Sequence, residues 1–207
     1  MNRSTLTALI AVVTLGGAFL WWSTDELRAF TTEGARRLAV AQQPRDLPET
    51  VLEGQDGALF GFDDYRGRRV LVEFIYTRCP TVCGALGQSF ERIAHRLPPE
   101  RLGRDIVLLS VSFDPEHDDP AALRDYAQRF PAADGRGWRM ARVNDPVQLA
   151  RLLRTFGIVV IPDGMGGFEH NAAIHLVGPD GRLARIYEAG AADRLAVELV
   201  REQWTAR

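Results

Sequence analysis

The run Val70-Leu71-Val72-Glu73-Phe74-Ile75-Tyr76 constrains this chain more than any other feature. It is β-branched or aromatic almost throughout and lacks the alternation of a half-exposed strand. A strand of this kind is buried on both faces, and a sheet with helices packed on either side provides that burial. Thr77-Arg78-Cys79-Pro80-Thr81-Val82-Cys83 follows, where the strand pattern stops and a helix pattern, Thr81 to Arg96, begins. Cys79 and Cys83 are the only cysteines. Four residues apart on a helix they share one face. There they can clasp a soft metal ion, or close a disulfide if Cys79 lies just outside the helix. Two small buried hydrophobes are the plain alternative. The junction, the spacing and Pro80 between them favour a reactive site.

The remaining elements extend the same architecture. Val51–Glu53 and Ala58–Phe62 read as a short hairpin around Gln55-Asp56-Gly57. Ile106–Phe113 is a second central strand, and Trp138–Val143 a third. Asp119-Pro120 and Asp145-Pro146 each place a capping aspartate before a first-turn proline, starting helices that run to about Phe130 and Phe156. Ala172–Val177 and Arg182–Tyr187 are strands joined by Gly178-Pro179-Asp180-Gly181. Asp193–Trp204 is the last helix. This order predicts an α/β, thioredoxin-like mixed sheet flanked by helices. Reactive groups in such a sheet belong at the carboxyl ends of the strands, where Cys79 falls.

The N-terminus is of another kind. Leu6 to Trp22 carries no charge, and with Thr5 it is about 18 residues, the low edge for a membrane-spanning helix. Trp21 and Trp22 suit an interface. The only obvious small-x-small cleavage site, Ala39-Val40-Ala41, lies too far downstream for a signal peptidase. Residues 1–24 therefore read as a membrane anchor, 25–46 as a stalk and linker, and 47–207 as the globular domain. Arg3 and the short tail favour export of the C-terminal domain, though Arg28, Arg36 and Arg37 blunt the charge asymmetry. The cysteine pair agrees with an extracytoplasmic space. A net charge of −2 gives no pull toward nucleic acid, and the absence of lysine removes Schiff-base chemistry.

A helix N-terminus and the adjacent Arg78 predict that at least one sulfur is partly ionised near neutral pH. Such a pair can exchange with disulfides or bind Cu(I). Four histidines bear on the choice. His95 reads as a solvated surface residue and His175 as a structural one. His117, in the acidic stretch Asp114–Asp119, is a weaker candidate ligand. His170 ends the Gly-rich stretch Ile161–Glu169, which reads as a flexible arm facing the cysteine loop, so its imidazole can complete a three-coordinate site. Glu73 interrupts the central strand as a possible proton acceptor for a thiol, or as the partner of an arginine. Met165 offers a soft sulfur on the arm, with an ordinary loop methionine the plainer reading.

Tyr76-Thr77-Arg78-Cys79-Pro80-Thr81-Val82-Cys83 resembles the signature of the Sco/SenC family, membrane-anchored copper proteins of cytochrome oxidase assembly. Leu109–Asp118 resembles the family's segment containing Asp-Pro-Glu, and His170–Gly181 its metal-histidine strand and following turn. The resemblance covers the chain from about Leu47 onward. It implies that Cys79, Cys83 and His170 are copper ligands holding Cu(I), with Cu(II) left open, and that Asp114 stands behind them. It implies a single-pass protein of the cell membrane whose C-terminal domain faces the periplasm or an equivalent space. Its partners would be cytochrome c oxidase subunit II and other copper carriers. The domain would deliver copper to the dinuclear copper site or reduce that site's thiols. The chain departs from the family at Gly84, where proline is usual, at Glu169, where aspartate is common, in Gly164–Gly167, and at Glu73.

Two functions stay open on this reading. A copper chaperone needs both thiols and His170. A periplasmic thiol–disulfide oxidoreductase, in which Cys79 attacks and Cys83 resolves, needs no histidine, and whether the protein is an enzyme turns on that choice. A peroxidase of the same broad fold needs a cysteine pattern this chain lacks.

Overall fold

The computed structural model describes residues 2–23, 31–79 and 82–201. Thr81, the expected first residue of the helix, lies outside the described residues with Pro80, as do 24–30, across the end of the anchor and the start of the stalk, and 202–207, which include the end of the last helix. The chain divides into two units, Met1–Gln43 and Pro44–Arg207.

The first unit is helical. Helix α1 spans Arg3–Ser23, and its segment Ser4–Trp22 is long and apolar enough to cross a membrane. Its 19 residues rise about 28 Å at ~1.5 Å each, close to the ~30 Å of a bilayer's hydrocarbon core. Helix α2 spans Thr32–Gln42. The Thr31 hydroxyl caps it by accepting the Gly34 N–H at 3.0 Å. Glu33 in its first turn pairs with Arg36 and Arg37.

The second unit carries the strands β1 (Arg45–Asp46), β2 (Leu52–Gly54), β3 (Leu59–Phe60), β4 (Arg69–Ile75), β5 (Ile106–Ser112), β6 (Trp138–Arg142), β7 (Val160–Pro162), β8 (Phe168–His170), β9 (Ala173–Val177) and β10 (Arg182–Glu188). Eight of them form one mixed sheet, ordered β1-β10-β9-β4-β5-β6-β2-β3. β4, β5 and β6 run parallel, and β9 and β2 close against them antiparallel. Helices α3 (Val82–Arg96) and α4 (Pro120–Ala127) provide the crossovers, and α5 (Pro146–Phe156) and α6 (Ala192–Arg201) complete the layers. Every residue of β4 and β5 is buried, the polar Arg69, Glu73, Ser110 and Ser112 included. On one face Trp138 packs against Phe90 of α3 and Phe130. On the other, Phe74 and His175 pack against Phe156 of α5. Each such large side chain contributes roughly 1.5–3 kcal/mol by leaving water.

Both Asp-Pro starts hold. Asp119 accepts the Ala122 N–H, and Asp145 accepts those of Val147 and Gln148. Helix α4 ends at Ala127, three residues short of the expected Phe130. Arg45–Asp46, within the stretch read as linker, pairs with β10 as an edge strand.

The stretch read as a flexible arm is an ordered hairpin. β7 and β8 pair through Val160↔His170, Ile161↔Glu169 and Pro162↔Phe168. The Asp163 carboxylate ties its tip by accepting the N–H groups of Met165 and Gly167, while Gly164 and Gly166 take the positive φ the turn needs. Asn171 fastens its base, accepting from Val159 N–H and donating to the Gly157 carbonyl.

Candidate metal and thiol site

Strand β4 delivers Cys79 to its carboxyl end, and α3 begins at Val82, so Cys83 lies in the first helical turn. Neither cysteine is bridged to the other and both are buried, Cys83 completely. The Cys83 N–H donates to Cys79 Sγ at 3.3 Å, which places the first sulfur over the opening of the helix. The Tyr126 hydroxyl donates to the Cys83 carbonyl at 3.0 Å and anchors the turn to α4.

The hairpin brings the third group. His170 Nε2 stands 3.6 Å from Cys83 Sγ. Its ring packs edge-on against Phe113 at 5.0 Å and lies beside Tyr76. The Tyr76 hydroxyl reaches both the N–H and the carbonyl of Phe168, at 3.3 Å each. Burial lowers the His170 pKa below the usual imidazole value, which favours the neutral ring that a metal requires. Two thiols and a neutral imidazole are a soft donor set, suited to Cu(I). Among the described residues no three side chains are already drawn in to a closed metal cage. Cys83 links the set, its thiol beside the His170 ring and its N–H on Cys79 Sγ.

The expectation that at least one sulfur is partly ionised does not extend to Cys83. Burial pushes this thiol well above its ordinary pKa, and the adjacent Cys79 adds to the effect. Nor is the Arg78 charge left free to act on the sulfurs: its guanidinium pairs with Asp114 at 2.8 Å.

Among the described residues, Asp114 reaches the cysteine turn only through that pair with Arg78. It is buried, and its second oxygen meets His117 Nδ1 at 2.8 Å. His117 is half exposed and is engaged there rather than at the thiols. His95 is exposed beside Glu91, and His175 is a buried core residue with Nδ1 3.2 Å from the Val72 carbonyl. Met165 is 88% exposed at the hairpin tip, apart from the buried thiols. Glu73 is fully buried, and among the described residues no arginine pairs with it; Ser110, itself accepting from Trp138, donates to its Oε1 at 2.5 Å. Burial pushes the Glu73 carboxyl up to about 8.

Sequence reasoning missed Asp118. Fully buried, it accepts the Thr77 N–H at 2.9 Å, the Thr77 hydroxyl at 2.6 Å and the Ser112 hydroxyl at 2.5 Å. The available signal was a pair of aspartates before Pro120, where one cap suffices.

The SCO1/SenC family model matches residues 46–205. The SCO1 protein homolog of Bacillus subtilis is 28% identical over 138 residues, which cover 66% of this chain and 70% of that protein. Bradyrhizobium japonicum ScoI, solved with copper bound, superposes with a TM-score of 0.65 at 23% identity, covering 75% of this chain and 98% of that one. A structure of BsSco, described as containing a disulfide switch in a Sco-family cytochrome c oxidase assembly protein, superposes at 0.66 with 23% identity and covers 76% and 93%. These likenesses establish the thioredoxin-like fold expected from the order of elements.

Proposed function

Because this chain belongs to the SCO1/SenC family, we propose that it carries copper as cargo, held by Cys79, Cys83 and His170, for the assembly of cytochrome c oxidase. The observation that carries this reading is the 3.6 Å approach of His170 Nε2 to Cys83 Sγ across 87 residues of chain. A thiol exchanger has no use for that imidazole, and a copper site does. Burial of both thiols limits the access of water and oxidants to a Cu(I)–thiolate site, while His170 stays part-exposed. Ligand exchange at the exposed edge of the site then passes the ion to a recipient with tighter or more numerous ligands. The recipient on this reading is the dinuclear site of cytochrome c oxidase subunit II. Residues 1–24 anchor the chain in the cell membrane, 25–46 act as stalk, and 47–207 work in the periplasm or an equivalent space.

A second reading rests on the Cys83 N–H bond to Cys79 Sγ, which holds the first sulfur where an attacking thiolate is stabilised. Here the pair reduces the recipient's disulfide, giving two electrons and two protons and becoming a disulfide itself. A thiol reductant must then restore the dithiol before copper can bind.

Copper content and X-ray absorption of the reduced full chain in detergent test the assignment, for wild type and His170→Ala. One Cu(I) per chain bound by two sulfurs and a nitrogen, with the nitrogen lost in the variant, supports the carrier. Wild type without stable copper, but with a reducible Cys79–Cys83 disulfide, moves the protein to the second reading.

A further inference from the structure

We propose that Asp118 is the positioning residue of the cysteine turn, setting where Cys79 Sγ stands relative to Cys83 and His170. The inference rests on reading those three residues as the reactive set, and it adds a residue that reading does not contain.

A carboxylate removed from water persists only when donors replace its hydration. Asp118 is fully buried, and its three donors are the amide and hydroxyl of Thr77 and the hydroxyl of Ser112. The two hydroxyl bonds, at 2.6 and 2.5 Å, have the length of charge-assisted bonds. Capping of α4 does not explain the residue, because Asp119 already accepts the Ala122 N–H at 2.8 Å. Instead the carboxylate reaches back 41 residues to Thr77, two positions before Cys79. Cys79 in turn donates its N–H to the Tyr76 carbonyl at 3.2 Å, so the turn is pinned on both sides of Thr77.

The same segment reaches the other half of the site. Ser112 also accepts the Asp114 N–H at 3.0 Å, which fixes the backbone on either side of Phe113, and Phe113 packs on the His170 ring. The carboxyl end of β5 is thus one template against which the sulfur turn and the histidine arm are both registered. Partners lying behind metal ligands typically govern ~10–100-fold in affinity.

The test uses the full chain in detergent with Thr77→Val, Thr77→Ser and Asp118→Asn. Thr77→Val removes the hydroxyl at constant shape, and Thr77→Ser returns it. Cu(I) affinity by competition and the dithiol–disulfide equilibrium against glutathione are measured well below each variant's melting temperature, with circular dichroism confirming the fold. Thr77→Val and Asp118→Asn should each weaken Cu(I) binding by about tenfold or more, while Thr77→Ser stays within about threefold of wild type. Wild-type copper affinity in folded Thr77→Val overturns the proposal, even if Asp118→Asn fails to fold. If wild type itself binds no copper, the carrier reading fails and the glutathione equilibrium decides this one. A shift of about tenfold in Thr77→Val, restored in Thr77→Ser, upholds the positioning role, and an unmoved equilibrium rejects it.

Discussion

The imidazole of His170 and the thiol of Cys83 meet at 3.6 Å although no element of regular structure connects them directly. One belongs to the first turn of α3 and the other to the end of a three-residue strand. Their meeting depends on how the β7–β8 hairpin is held against the sheet. That support comes from Tyr76 and Phe113, whose rings pack on Phe168.

Tyr76→Phe separates the hairpin from the thiols. The hydroxyl's two contacts to Phe168 are long, so each is worth no more than about 0.5–1.5 kcal/mol. Losing them frees the strand that carries His170 while the ring packing remains. Cu(I) affinity should fall several-fold, roughly the factor that ~1 kcal/mol implies. The dithiol–disulfide equilibrium should shift by a smaller factor, through the hydroxyl's own contact with Cys79. Equal losses in both measurements would mean that Tyr76 supports the cysteine turn instead of the arm.

Glu73 gives a pH dependence with a definite sign. Burial raises its folded pKa from an ordinary 4.5 to about 8, against the lowering effect of the Ser110 bond. Between those values the unfolded chain ionises this carboxyl and the folded chain keeps it protonated. Unfolding therefore releases a proton, and stability falls as pH rises from about 4.5 to about 8, levelling off above. The total is on the order of a few kcal/mol. Glu73→Gln retains the shape without the titration, so its urea midpoint should lose that part of the slope between pH 5 and 8. Parallel curves for the two proteins would place the proton elsewhere.

The parts of this fold legible in the sequence are those that local chemistry determines. The runs at β4 and β5 could only be buried strands, and Asp119-Pro120 and Asp145-Pro146 could only start helices. The β7–β8 hairpin was read as a loop because its strands are three residues each and its glycines and proline mask any period. It is held by Asp163 at the tip and Asn171 at the base, and side chain to backbone bonds leave no periodic trace. The cysteines and His170 were legible as chemistry, since few residue types bind soft metals. Asp118 was not, because its Thr77 partner lies 41 residues away and a second aspartate before Pro120 does not say what it pairs with. The raised Cys83 pKa was missed for the opposite reason: the helix-dipole argument is local, and burial outweighs it.

Two glycines of α3 should respond in opposite directions to alanine. At Gly87 a Cβ would lie 2.2 Å from Phe130 Cζ, and that ring is wedged between Tyr126 and Trp138. Overpacking of this kind costs about 1–3 kcal/mol and exceeds the ~1 kcal/mol that alanine returns in helix propensity. At Gly84 a Cβ meets nothing within 4 Å, so alanine should stabilise by about 0.5–1 kcal/mol. Melting temperatures of the two variants should therefore move apart, with Phe130→Leu relieving the Gly87→Ala defect. A stabilised Gly87→Ala would show that the Phe130 ring swings aside freely.

Asp114 and Asp118 flank one short segment and should differ in weight. Both are buried, but Asp114 spends its oxygens on Arg78 and His117, whose side chains are 44% and 50% exposed. Water can replace those partners when the carboxylate becomes an amide. The Asp118 bonds end on Thr77 and Ser112 inside the protein, where water cannot follow. Asp114→Asn should therefore weaken Cu(I) binding by no more than about threefold, below the ~10–100-fold typical of partners that orient ligands. The same competition assay on Asp114→Asn and Asp118→Asn ranks them directly. A larger loss in Asp114→Asn would make the Arg78 ion pair, rather than the Thr77 bonds, the contact that fixes Cys79.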